Sequence, residues 1–294
     1  MPAGTGDLDD VAARSAKEAE AGLDPSAGVM VRVGWIDPPG AEPGRLALVA
    51  HHLVVDAVSW AILLPDLRAA YDDVRSGRTP TLEAAATSYR QWALRLTEQA
   101  THESTVAELD HWVTVLDGVD PSLGEHTGQP SSWSRTLSGA AAGSLVGRLP
   151  GAFHCGIQEV LLAGLAGAVA RGRGADAGVL VDVEGHGRHP VDGEDLLRTV
   201  GWFTSVHPVR LDVSGVDLAA AAAGNAAAGE LLKAVKEQVR AVPGDGLGYG
   251  LLRHLNPDTG SRLAGLPSPQ IGFNYLGRSG VAAGDTAWQV RDGA

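Results

Sequence analysis

One cysteine, Cys155, stands in 294 residues. Its isolation excludes an internal disulfide and a cysteine-rich zinc site, and it suits a reducing cytosol. Met1-Pro2-Ala3-Gly4-Thr5 shows neither the basic region nor the apolar core of a signal peptide. No run is apolar for long enough to cross a membrane, and the alanine-rich stretch 219–228 is too short and too weakly hydrophobic. Basic residues are outnumbered: 23 Lys and Arg against 35 Asp and Glu give a formal charge of -12. That balance counts against a general nucleic-acid or anionic-membrane surface. Internal repeats are absent as well. What is there is a hydrophobic content of 44% with 20% charged residues, which suits a packed interior rather than disorder. The length allows one large domain or two modest ones.

Along the chain, helical patterns alternate with strand-like runs. A helix is expected over 11–21, strands over 29–36 and 45–55, and a helix over 59–75 that Pro65 should kink. Apolar residues recur at helical spacing over 89–99 and 106–116. Residues 116–132 are Gly/Pro-rich and polar, with 121–131 as the linker between a first lobe (1–120) and a second (132–294). Then come a strand (132–137), helices (139–149 and 157–171), strands (179–183 and 204–211), a long helix (218–239) and a strand (270–276). The alternation implies α/β layering in two lobes.

Five segments carry possible chemistry. In His51-His52-Leu53-Val54-Val55-Asp56, two imidazoles and a carboxylate follow an apolar run. Such groups are costly inside apolar surroundings unless paired, and an imidazole near a strand end can serve as a general acid or base. On a strand, adjacent side chains face opposite ways, so the two rings do different jobs and do not share a metal. Taken alone, the segment fits satisfied core histidines at least as well. In Val183-Glu184-Gly185-His186-Gly187-Arg188 a carboxylate ends an apolar strand, either as a proton-transfer group or as one half of a local ion pair. Arg198-Thr199-Val200-Gly201-Trp202-Phe203-Thr204-Ser205 reads as a tunnel wall or as core. Gly246-Leu247-Gly248-Tyr249-Gly250 lacks the features of a phosphate loop and reads as a flexible turn. In Gln270-Ile271-Gly272-Phe273-Asn274-Tyr275, the last two could stabilise an oxyanion, with a structural tyrosine as the plainer reading.

In order, these segments resemble epimerization domains of nonribosomal peptide synthetases, members of the condensation-domain superfamily. Phe273-Asn274-Tyr275-Leu276-Gly277, Glu184-Gly185-His186-Gly187-Arg188 and Thr87-Ser88-Tyr89-Arg90-Gln91-Trp92 join the His-His segment in that likeness, which spans roughly residues 25–280. The resemblance implies an α/β fold of two chloramphenicol-acetyltransferase-like lobes forming a V with a tunnel between them. The family's earlier motifs and its closing strand and helix have no counterpart here, so it also implies an incomplete N-terminal lobe and a C-terminal lobe incomplete at its end. The implied reaction is L-to-D epimerization at Cα of an aminoacyl or peptidyl thioester, in antibiotic-type peptide biosynthesis. The implied alternatives are amide-forming condensation and an inactive remnant that docks a carrier.

By the same resemblance His52 and Glu184 face each other as the acid/base pair, with Asn274 and Tyr275 hydrogen-bonding the thioester. Asp56 is implied to be structural and held by an arginine. His51, His186 and Arg188 support the site, and Ser59, Trp202 and Thr204 line the tunnel. No metal and no tightly bound cofactor is expected. A phosphopantetheine arm comes from a partner carrier (thiolation) domain beside neighbouring synthetase domains, in the cytoplasm, without nucleic acid or membrane. Ala57 stands where the family usually has glycine, and His207 where an aromatic residue is frequent.

Overall fold

The computed structural model describes residues 8–38, 43–123, 128–174, 178–190 and 193–277. The chain forms two compact units. The first gathers residues 1–89, 188–203 and 276–294, and the second gathers 90–187 and 204–275. The continuous division expected from the sequence differs from this one: residues 90–120 join the second unit, and 188–203 join the first. Of the linker expected over 121–131, residues 124–127 lie outside the described residues.

In the first unit, helix α1 (Leu8–Ala21) packs on a two-stranded antiparallel sheet, β1 (Val31–Ile36) and β2 (Arg45–Ala50), in register from Val31 opposite Ala50 to Ile36 opposite Arg45. The approach is close at Gly34, where a Cβ would fall 2.5 Å from the Ser15 hydroxyl. The opposite face of the hairpin leaves Val33 and Trp35 more than half exposed. The strand ends at Ala50, not at residue 55. His51 Nδ1 accepts the Leu53 N–H at 3.1 Å and caps a 3₁₀ turn, His52–Val54. That local bond competes with the ladder, so the strand-based alternation of the two histidines does not apply. Helix α2 (Ala57–Arg75) follows, capped by Asp56, and Pro65 lies inside it without ending it. Ala57 is the first helical residue and has no positive φ, so its methyl group adds no backbone strain.

From Arg90 on, α3 (Tyr89–Gln99) belongs to the second unit, followed by α4 (Glu103–Val106) and α5 (Leu109–Leu116), the last two replacing one helix expected over 106–116. Residues 132–137 form no strand. Without a partner ladder they run irregularly, with Trp133 82% exposed. A helical strap, α6 (Gly139–Gly143) and α7 (Leu149–Phe153) joined by a π turn, leads to α8 (Ile157–Arg173). Glu159 accepts the Gly156 N–H at 2.8 Å at the start of α8, and Gly174, at φ 62°, closes its end. Strand β3 (Val179–Gly185) pairs antiparallel with β4 (Ser205–Leu211) and parallel with β5 (Ile271–Phe273), giving the order β4-β3-β5. The helix expected over 218–239 breaks into α9 (Leu218–Ala222) and α10 (Ala227–Arg240), because Gly224 turns left-handed at φ 80°.

Val179, Val181 and Val183 alternate onto the face of β3 that packs with Leu162, Ala166, Leu231 and Val235 of α8 and α10. Leu180 belongs to a separate cluster with Leu116 and Val119, so Leu180, Asp182 and Glu184 share the other face. Burial there pushes the Asp182 carboxyl up. The segment Pro243–Gly246, α11 (Leu247–Gly250), the π turn Leu251–Leu255 and α12 (Gly260–Ala264) complete the unit, with Leu252 and Leu263 buried against Trp112.

Residues 246–250 are not a flexible turn but a close-packed one. A Cβ on Gly246 would fall 2.0 Å from the His207 ring, and one on Gly248 would fall 1.9 Å from the Glu108 carboxylate. Gly246 also holds φ at 82°. Gly246→Ala is therefore expected to cost about 1–3 kcal/mol in backbone strain, with the ring collision adding to it. Gly250→Ala, whose Cβ meets nothing within 4 Å, is expected to be neutral or slightly stabilising. Urea unfolding of both variants checks the contrast.

Candidate active-site segments

Two assemblies carry the singled-out residues, one inside each unit. In the first, Asp56 ends the His-His segment and caps α2. Its Oδ1 accepts the Ser59 N–H and the Ser59 hydroxyl, both at 2.7 Å. Its Oδ2 accepts the Phe203 N–H at 3.1 Å. Arg188 Nη2 donates to both oxygens, at 3.0 and 3.2 Å. The two charged side chains are only 7% and 4% exposed. Burial pushes the Asp56 carboxyl up, but the bonds from Ser59, Phe203 and Arg188 outweigh it and hold the group below the usual carboxylate range. Arg188 also donates through Nη1 to the carbonyls of Leu196 and Thr199, and its guanidinium lies 4.1 Å from the Phe203 ring centre.

Ser59 extends this centre. Its hydroxyl lies 3.0 Å from the Gly201 carbonyl and accepts the Gly201 N–H at 3.1 Å. The residue is fully buried, so the expectation that Ser59 lines a tunnel is corrected: its hydroxyl is consumed within the protein. Next to it, the Tyr89 hydroxyl donates to the Trp202 carbonyl at 2.8 Å, and the Tyr89 ring meets Phe203 edge-on. Burial first, then the Asp56 charge, push the Tyr89 hydroxyl up, which keeps it a donor at neutral pH. A Cβ on Gly201 would overlap the Tyr89 ring, so glycine is required by space. Thr199 Oγ1 donates to the Thr87 carbonyl at 2.6 Å. Arg198 binds both oxygens of Asp66 at 2.7 and 2.8 Å. His52 is exposed and lies against the indole of Trp202, with ring centroids 4.9 Å apart.

In the second assembly, Glu184 sits near the end of β3, opposite Val206 of β4. Beyond β5 the chain leaves the ladder, and Asn274 Nδ2 donates to Glu184 Oε2 at 2.6 Å. The amide nitrogen is the donor and the carboxyl oxygen the acceptor. This bond joins two segments 90 residues apart. One amide hydrogen expected to serve an oxyanion is thus already engaged. Tyr275 follows, half-buried, and Gly277 turns left-handed at φ 78°. His186 is exposed, and Gly187, at φ 63°, makes the turn after it. Thr204, half-buried, belongs to this second unit. Among the described residues, no three His, Cys, Asp or Glu side chains gather to hold a metal ion.

A family model, the condensation domain, matches residues 7–292. The chain belongs to the condensation-domain family. Among curated relatives, a linear gramicidin synthase protein of Brevibacillus parabrevis is 39% identical over 274 residues, 90% of this chain and 3% of that protein. Chondramide synthase of Chondromyces crocatus is 38% identical over 263 residues, covering 86% and 6%. This condensation-family chain therefore spans a small fraction of the curated relatives it matches. Among solved structures it is similar to the epimerization domain from the third module of tyrocidine synthetase B, with TM-score 0.78, 27% identity, and coverage of 92% of this chain and 60% of that one. The first condensation domain of the calcium-dependent antibiotic synthetase shares the fold at TM-score 0.64 and 20% identity, over 94% and 59%. The mixed α/β architecture is that of the condensation-domain fold.

The Asp56–Arg188 pair gives two linked expectations. Asp56→Asn removes the anion and leaves the guanidinium buried without its counter-charge, which should cost about 3–5 kcal/mol in the first unit. The sign with pH follows from the depressed carboxyl. Its contribution is fully present above the unfolded value of about 3.9 and is lost as pH falls through the lower folded value. Urea midpoints of the wild type should therefore fall on acidification below about pH 4, and Asp56→Asn should lack that component.

Proposed function

We propose that this chain is an epimerization-type member of the family. Its substrate is an aminoacyl or peptidyl thioester on the phosphopantetheine arm of a carrier domain in a nonribosomal peptide synthetase. The observation that carries the reading is the Glu184–Asn274 hydrogen bond. It ties the Glu-Gly-His-Gly-Arg segment to the Phe-Asn-Tyr-Leu-Gly segment, the two that set epimerization domains apart in the sequence. The likeness to the tyrocidine epimerization domain supports the same choice.

The chemistry follows from the residue types. A thioester acidifies its Cα–H, but that proton remains far less acidic than any side-chain acid. One group must remove it, another must return a proton to the opposite face, and a donor must hold the enolate oxygen in between. Glu184 and His52 are the acid/base pair in this proposal. Asn274 fixes the carboxylate through Oε2, which leaves Oε1 to exchange the proton. Tyr275 is the candidate donor to the thioester oxygen. The Cα–H bond breaks, the electron pair moves onto the carbonyl oxygen as an enolate, and it returns when Cα is protonated from the other side. No oxidant or metal enters this balance.

The test is deuterium wash-in at Cα of a carrier-bound L-aminoacyl thioester in D₂O. Wild-type chain should incorporate deuterium and yield a mixture of L and D. Glu184→Gln keeps the size and an acceptor for the Asn274 amide but cannot take a proton. It should lose about 10²-fold or more, within the range for a positioned acid/base group. Amide formation from two loaded carriers without Cα exchange would instead support condensation. Carrier binding that survives Glu184→Gln and His52→Ala, with no exchange in the wild type, would mark a docking role.

A further inference from the structure

Trp202 has a neighbour that neither segment announces. Its indole centroid lies 4.9 Å from the His52 imidazole, with the planes 57° apart. Both residues are exposed, Trp202 by 43%. An exposed histidine on a 3₁₀ turn would ordinarily sample several rotamers. The indole limits that freedom because its own backbone is tied down on three sides. The Gly201 N–H donates to the Ser59 hydroxyl, which also lies 3.0 Å from the Gly201 carbonyl. The Trp202 carbonyl accepts from Tyr89, and the Phe203 N–H is bound to Asp56. The same Asp56 and Ser59 cap the helix that follows the His52 turn. Imidazole and indole are therefore both presented from one rigid centre inside one unit.

We propose that Trp202 is a positioning residue for His52. The indole holds the imidazole in one orientation. This role differs from lining a tunnel, and it rests on the reading of His52 as one of the proton-transfer groups. The substrate contact stays with His52, and Trp202 acts through it.

Two readouts on the full chain test this. The first is NMR of the His52 imidazole, using ring-proton shifts and the rotamer-dependent couplings of its side chain. Wild type and Trp202→Phe should show one ordered ring, and Trp202→Leu a rotamer-averaged one. Unfolding midpoints serve as the check that each variant is folded, and Trp202→Met replaces Trp202→Leu should the latter fail to fold. The second readout is wash-in kinetics with the loaded carrier. Trp202→Leu should lower the maximal rate about tenfold or more, as expected for lost orientation, with the half-saturating carrier concentration unchanged. Trp202→Phe should recover most of the rate.

An ordered His52 ring in Trp202→Leu overturns the proposal whatever the activity. A change in half-saturation with the maximal rate intact also overturns it, and assigns Trp202 to substrate binding. Full exchange in His52→Ala overturns the acid/base reading instead, and the ring measurement still decides whether Trp202 orders His52.

Discussion

The first unit depends on one buried ion pair, Asp56 with Arg188. A pair withdrawn this far from water carries a large desolvation cost, which its attraction offsets only when the remaining hydrogen-bonding capacity is filled. On the carboxylate it is filled. Asp56 receives the Ser59 hydroxyl, two backbone N–H groups and Arg188 Nη2, while Arg188 Nη1 donates to two carbonyls. The consequence is specificity of assembly more than net stability. Only the segment that brings Arg188, Gly201 and Phe203 together satisfies the carboxylate, so α2, the His52 turn and residues 188–203 are fixed to one another.

The second unit uses a different device. Glu184 is presented by a strand that is apolar on its other face, and it is steered by a neutral amide rather than a cation. A nearby arginine would bind both carboxylate oxygens and hold the group as an anion, whereas an amide orients one oxygen and leaves the other. On the same face of β3 lies Asp182. Elsewhere in the unit, Gly246 and Gly248 allow the chain to approach His207 and Glu108 closely.

Much of this was legible in the sequence, for identifiable reasons. Helical spacing of apolar residues marked α3, and the apolar run at 179–183 marked a strand ending at a carboxylate. The ordered motifs marked the family and the residues around Glu184 and Asp56. What escaped reading was set by single contacts. The His51 ring turned strand into a 3₁₀ turn, and Gly224 broke one expected helix into two. Residues 132–137 had strand-like composition but no partner. Ser59 was expected on the tunnel wall, yet its place three after Asp56 is that of the third residue of a capped helix. The contact of Trp202 with His52 joins residues 150 positions apart, and no local pattern encodes it.

The order in which the chain is made gives the ion pair a temporal dimension. The first unit is discontinuous, and Arg188 emerges 132 residues after Asp56. At a synthesis rate of about 5–20 residues per second, the carboxylate waits about 7–26 s for its arginine. Throughout that interval the His52 turn has its helix cap but no anchor. Most of the second unit is synthesised inside the gap, so its helices and β3 can collapse while the first unit is still open. A cell that makes this protein must therefore tolerate, for seconds per molecule, a half-built first unit.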